Sequence, residues 1–104
     1  MAHRLREQVL AAPDRLDLEH SEPFRQAALA LLDTLGRTPG RLVVDLGATQ
    51  MIDSAGLRVL IMVRRHATSR GTVVSLRRVS TELQSLLALA KMEDLFEIED
   101  RAPA

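Results

Sequence analysis

Apolar residues along this chain alternate between two rhythms. Leu5, Gln8, Val9, Leu10 and Ala11 suggest a first strand at or near a sheet edge. Pro13-Asp14 signals a turn. Arg15–Glu19 sets Leu16 and Leu18 between charges, which predicts a short extended segment. From Ser21 the spacing changes: Phe24, Ala28, Leu31, Leu32 and Leu35 recur at helical intervals. Ser21 reads as the N-cap, Glu22 and Pro23 as its first turn, and Gly36 as the C-cap. Thr38-Pro39-Gly40 is a loop. Leu42–Leu46 follows as a strand that is apolar except for Asp45, the pattern of an interior parallel strand covered on both faces.

A short polar loop then leads to Asp53-Ser54-Ala55-Gly56, where a second helix is expected to begin at Ser54 and stop before Gly71. Leu57, Leu60, Ile61, Val63 and Ala67 form its apolar side. Arg58, Arg64, Arg65 and Arg70 occupy the rest, with no acid after Asp53. Thr72–Leu76 reads as a strand. Thr81-Glu82-Leu83-Gln84 has capping-box spacing, with Ser80 as the alternative cap, and Leu83, Leu86, Leu87 and Ala90 predict a third helix. Leu95-Phe96-Glu97-Ile98 is a last short strand, and Glu99–Ala104 a frayed tail. Strands alternating with helices imply right-handed crossovers and a mostly parallel sheet.

A length of 104 residues fits one domain with a modest core. The only aromatic residues are Phe24 and Phe96, which argues against a base-stacking surface or an aromatic-lined ligand pocket. Lys+Arg and Asp+Glu both number 14, so no net charge draws the molecule to nucleic acid or anionic lipid. The absence of cysteine removes disulfides, thiolate catalysis and Cys-based zinc sites. The N-terminus has no apolar signal core, and no apolar run is long enough to cross a bilayer. These features point to a cytoplasmic protein without membrane insertion.

Ser54 is the one serine in a distinctive setting. It lacks the flanking glycines of a nucleophile elbow, and the histidines fall at the chain start, a helix entrance and mid-helix, so the pattern does not indicate a hydrolase. Asp14, Asp17, Glu19 and His20 form a polar cluster that solvated loop charge explains more simply than a metal site. The basic side of the second helix fits a solvated face better than a nucleic-acid site, with a partner-docking face as a third option. Two readings of Ser54 remain open: a helix cap, or a modification site at a helix N-terminus, where unpaired N–H groups and the macrodipole tolerate an added phosphate. Asp53 either orients that hydroxyl or caps the helix.

Val43-Val44-Asp45-Leu46, followed by Met51-Ile52-Asp53-Ser54-Ala55-Gly56-Leu57, resembles the signature of STAS domains, especially anti-sigma factor antagonists. The resemblance covers the order of elements from about Leu16 to Ile98. Leu16-Asp17 is similar to the acidic strand end before the family's first helix, and Leu95-Phe96 to the start of its last strand. It implies a small α/β STAS-like fold, with a mostly parallel four- to five-stranded sheet and alternating helices. The expected organisation is a single domain over residues 1–104, with 1–19 an abbreviated N-terminal strand region and 99–104 a flexible tail.

By the same resemblance, Ser54 is phosphorylated by a GHKL-type kinase that is also an anti-sigma factor. The unphosphorylated form binds that kinase, and a metal-dependent serine phosphatase resets the switch. Asp17, Asp53, Ser54, Ala55, Gly56, Leu57 and Arg58 are the implied partner-binding residues. The protein is then a bacterial regulatory binding protein rather than an enzyme, with no cofactor and no direct nucleic-acid contact. STAS domains also occur as cytoplasmic subunits of lipid-transport ABC complexes, whose similar turn Ala55 suits, and in signalling scaffolds.

Overall fold

The computed structural model describes residues 6–36 and 39–99. The first strand, β1, spans Arg6–Ala11, and a two-residue strand, β2, covers Arg15–Leu16. Helix α1 runs Leu18–Leu35, β3 Gly40–Asp45, β4 Met51–Ile52 and α2 Ser54–Ser69. Strand β5 spans Thr72–Arg77, α3 Thr81–Leu89 and β6 Glu97–Ile98. Leu5 and Thr38 lie outside the described residues, as do 100–104.

The main sheet has the order β1-β3-β5-β6, and every pairing in it is parallel. The strands therefore step in one direction as the chain proceeds. Right-handed crossovers that never reverse direction deliver each connecting helix to the same face. The core records this. Leu42 and Val44 of β3 and Val74 and Leu76 of β5 join one apolar cluster with Phe24, Leu32, Leu60, Val63, Leu83 and Leu87 of the three helices.

Val43 points the other way and stands outside that cluster, although it is fully buried. Strand β3 is covered on both faces as its apolar run predicts, but the helices lie on one face only. Its second face is roofed by long charged side chains. Arg41 pairs with Glu97 at 3.2 Å, and Arg77 with Glu99 at 3.1 Å and Glu7 at 3.6 Å. Ser75, opposite Val43 in register, donates to Glu99 at 3.0 Å. Extended Arg stems shield apolar surface while their heads stay in contact with water. Val9 on edge strand β1 remains 49% exposed on the same face.

Several boundaries differ from the sequence reading. Helix α1 begins at Leu18, capped by Asp17, and Ser21 lies inside it with its hydroxyl turned back to the Leu18 carbonyl. Asp17 wins because strand pairing ends at Leu16, one residue before it. The helix continues through Pro23, which leaves the Glu19 carbonyl without a helical partner, but Glu19 is exposed to solvent. Gly40 belongs to β3, not to the loop before it.

Ser80, the alternative cap, is the one α3 uses: its hydroxyl accepts from Leu83 N–H at 3.1 Å. Glu93–Leu95 form a single 3-10 turn, so the last strand is shorter than expected. Glu99, expected to open a frayed tail, donates its N–H to the Leu76 carbonyl and receives Ser75 and Arg77 on its carboxylate.

The one-sided core carries a direct test. Val44→Ala should cost about 2–3 kcal/mol, because it empties the helix-facing layer, whereas Val9→Ala on the open face should change stability by no more than about 0.5 kcal/mol. Urea denaturation of the two variants measures both values. Equal losses would contradict the assignment of faces.

Candidate functional site

The β1–β3 ladder breaks after Ala11 and Asp45, and then resumes. Ala12 N–H still reaches the Asp45 carbonyl at 2.9 Å. Gln50 N–H donates to the Asp14 carbonyl at 2.7 Å, and Thr49 Oγ1 to the Pro13 carbonyl at 2.8 Å. Strands β2 and β4 then pair in parallel, Arg15 with Met51 and Leu16 with Ile52. Neither the two-residue strand β4 nor this pairing was legible in the sequence. Two residues are too few to show a period.

Each of these short strands runs straight into an aspartate and a helix. Asp17 follows Leu16 and caps α1, with its side chain accepting from His20 N–H at 3.1 Å. Asp53 follows Ile52 and caps α2, with Oδ1 accepting from Gly56 N–H at 2.9 Å. The paired strands thus bring two capped helix N-termini together, and the first helical residues, Leu18 and Ser54, leave them in step. Each terminus carries about half a positive charge, and each aspartate offsets it.

Asp53 is therefore the cap, and Ser54 occupies the first helical position. Ser54 is exposed, and its hydroxyl makes no hydrogen bond among the described residues. Among the described residues no general base hydrogen-bonds it. Gly56 is buried because a Cβ there would run into the Leu16 carbonyl and press on Ile52 Cγ2. Its absent side chain lets α2 lie against the β2–β4 pair. Leu57 is half-buried against the core, Ala55 is intermediate and Arg58 is exposed. Of the residues singled out in sequence, Ser54 and Arg58 face solvent most openly. Gly56 and Leu57 hold the helix in place.

Asp17 is occupied as well. Its carboxylate meets His20 Nδ1 at 2.6 Å and lies 3.7 Å from Arg15. The hydrogen bond to His20 holds Asp17 below the usual carboxylate range, and the same bond raises His20 above the ordinary histidine value. Asp45, prominent in the strand motif, has a structural task. It receives Arg78 at 3.0 and 2.8 Å and Gly47 N–H at 2.9 Å, tying the loop after β3 to the end of β5. The Arg78 fork holds its carboxyl below the usual range.

Sequence reasoning missed Leu18. It looked like a strand residue, yet it is 74% exposed at the first helical position of α1, beside the Asp17 cap. A cleft of about 220 Å³ lies between β4 and α3, lined by Leu46, Met51 and Ile52 on one side and by Ser80, Leu83 and Leu86 of the α3 region on the other. Among the described residues no group of three His, Cys, Asp or Glu side chains is placed to hold a metal ion. No described helix is long and apolar enough to cross a membrane. An exposed apolar side chain at one helix entrance and a solvent-facing hydroxyl at the other suit protein contact.

A family model described as "Mlab, STAS domain" matches residues 1–97. A STAS-domain containing protein of Pseudomonas aeruginosa is 34% identical over 84 residues, covering 81% of this chain and 79% of the relative. An anti-sigma-factor antagonist (STAS) domain protein from Planctomyces limnophilus superposes with a TM-score of 0.75 at 19% identity, over 86% of this chain and 79% of its own. A putative anti-sigma factor antagonist from Thermotoga maritima gives 0.72 at 19% identity, over 86% and 77%. A sulfate transporter family protein from Wolinella succinogenes gives 0.72 at 19% identity, over 97% and 79%. At these identities the structural likeness speaks to the fold.

Two experiments test this geometry. Asp53→Ala should cost about 1 kcal/mol through the lost cap, while Ser54→Ala stays within about 0.5 kcal/mol of the parent in urea denaturation. A larger loss at Ser54 would move the cap to the serine. The second concerns pH. The His20 contribution to stability is full below the ordinary histidine pKa and is lost as pH rises through its raised value. The Asp17 contribution is full above the ordinary carboxylate pKa and is lost as pH falls through its lowered value. The pair therefore acts as an ion pair between those limits. Asp17→Asn keeps a competent cap but removes the charge, so the His20 pKa should fall in an NMR titration. An unchanged His20 titration would contradict the pairing.

Proposed function

We propose that this chain, which belongs to the STAS domain family, is a phosphorylation-controlled binding protein of the anti-sigma factor antagonist kind. The STAS domain is a binding or regulatory fold, and the partner surface is the paired helix entrance: Leu18, Ser54 and Arg58, with Asp17 and Asp53 behind them. One observation supports this most. Ser54 is exposed and unbonded at the first position of α2, while Asp53 does the capping. Its charge can therefore change without disturbing the fold.

The partner in this reading is a GHKL-type serine kinase that doubles as an anti-sigma factor. The γ-phosphoryl group passes from ATP to Ser54 Oγ, the hydroxyl gives up its proton, and ADP leaves. A metal-dependent serine phosphatase hydrolyses the ester and resets the switch. The phosphate adds about −1.5 to −2 charge at neutral pH. At a docking surface built around apolar Leu18, that charge has to be desolvated before contact forms. At the helix N-terminus the same charge is favourable to the fold by about 0.3–1 kcal/mol. Binding and folding thus respond in opposite senses. Both protein and partner are placed in the cytoplasm.

A second reading has its own support. The matching family model carries the description Mlab, and one structural neighbour is named as a sulfate transporter family protein. In that reading the same surface docks on the ATPase of an ABC lipid-transport complex, and Ser54 is a contact rather than a switch.

Pull-downs from the native host with wild-type, Ser54→Ala and Ser54→Asp baits separate the two. The switch predicts that wild type and Ser54→Ala retain the kinase, while Ser54→Asp loses at least about tenfold in affinity, or ~1.4 kcal/mol. Ser54→Asp should also be no less stable than wild type in thermal denaturation. Equal kinase capture by all three baits would defeat the switch. An ABC ATPase held equally by all three would establish the transport reading instead.

A further inference from the structure

Arginine partners are distributed unevenly over this molecule. Arg6 donates to the carbonyls of Thr34 and Leu35, and Arg64 to that of Leu95. Arg25 holds Glu22, Arg70 holds Asp33, and the sheet and loop arginines hold the carboxylates already described. Among the described residues only Arg58 and Arg65 have neither a carboxylate nor a carbonyl. Both lie on α2, on an exposed stripe that starts at Ser54 and continues through Arg58, Met62 and Arg65. Met62 is 44% exposed on that stripe. No acid follows Asp53 in the helix, and the Oδ1 of Asp53 is committed to Gly56 N–H.

Arg58 is thus a cation without a counter-ion, one helical turn from the serine. Residues four apart on a helix have Cβ atoms about 5–6 Å apart, and an acidic group N-terminal to a basic one is the favourable order. A phosphate on Ser54 extends from the helix surface toward that neighbour, and a guanidinium can meet two of its oxygens at once. We propose that Arg58 is the internal counter-ion of a phosphate carried by Ser54. Modification then acts twice on the docking surface. It introduces a dianion, and it withdraws the nearest unpaired cation from any acidic group on the partner. The inference rests on Ser54 being the phosphate acceptor. Within that frame Arg58 is a positioning residue, because it acts through the phosphate.

The test uses the full chain with phosphoserine installed at position 54 by an expanded genetic code, so it does not depend on finding the kinase. Phosphorus NMR follows the second ionisation of the phosphate. Arg58→Ala should raise that pKa by about 0.3 unit relative to the wild-type phosphoprotein, a surface-pair effect that shrinks in high salt. Arg58→Lys should restore most of the shift. Arg65→Ala, about 16 Å along the helix from Ser54, should leave it unchanged. Identical titrations for wild type and Arg58→Ala would overturn the proposal, as would an equal shift with Arg65→Ala. Failure of the switch itself shows separately, as a lack of phosphate on Ser54 in the native host. In that case the titration still decides whether the pair forms.

Discussion

The strands of the main sheet never reverse direction, and most of the architecture follows from that. With right-handed crossovers each helix is delivered to the same side. One face of a parallel sheet is then left without helices, an unusual state for strands that are normally covered on both faces. Here the second face is roofed by charge. Arg41, Arg77, Glu7, Glu97 and Glu99 lie across it, and beneath them Val43 and Ser75 are fully buried. Exposed ion pairs contribute little by themselves. Their apolar stems matter more, because they keep water from the valine layer.

The same geometry locates the site. Strands β1 and β3 are sheet neighbours, so the chain leaves both at the same end. There the ladder breaks and re-forms as β2 with β4, and each short strand is followed at once by an aspartate that caps a helix. Two helix N-termini are therefore fixed side by side by backbone pairing and not by side-chain contacts alone. Gly56 enforces the closeness, since any side chain there would strike the Leu16 carbonyl. A serine stands at the first position of the second helix, and its hydroxyl has no hydrogen-bond partner among the described residues.

Charge is distributed to match. Most of the described arginines meet a carboxylate or a backbone carbonyl, and the formal net charge is zero. Among the described residues the two arginines that meet neither a carboxylate nor a carbonyl, Arg58 and Arg65, lie in line behind Ser54 on α2. The basic side of this helix, read from sequence as one patch, divides into two classes in the structure. Arg64 and Arg70 tie α2 to the loop before β6 and to α1. Arg58 and Arg65 are exposed and meet neither a carboxylate nor a carbonyl among the described residues. Sequence alone does not draw that line, because all four positions have the same residue type and the same helix.

What the sequence determined by itself was the order of the three helices and the longer strands, the parallel class of the sheet and the position of the serine. These rest on local features: the period of apolar residues, the Asp-Ser-Ala-Gly turn, and the apolar run with a single Asp45. Gly36 ending α1 and Ser80 standing near the start of α3 belong to the same group. The tertiary structure decided the rest. Asp17 replaced Ser21 as the α1 cap because β2 pairs only through Leu16, and that pairing depends on residues 36 positions away. Leu18 became a surface residue for the same reason. Val43 turned to a face without helices because the strand order does not reverse, a property of the whole sheet. Asp53 rather than Ser54 became the cap because β4 exists, and two residues show no period. Non-local pairing decides which local signal is used, and it left the Ser54 hydroxyl with no structural task.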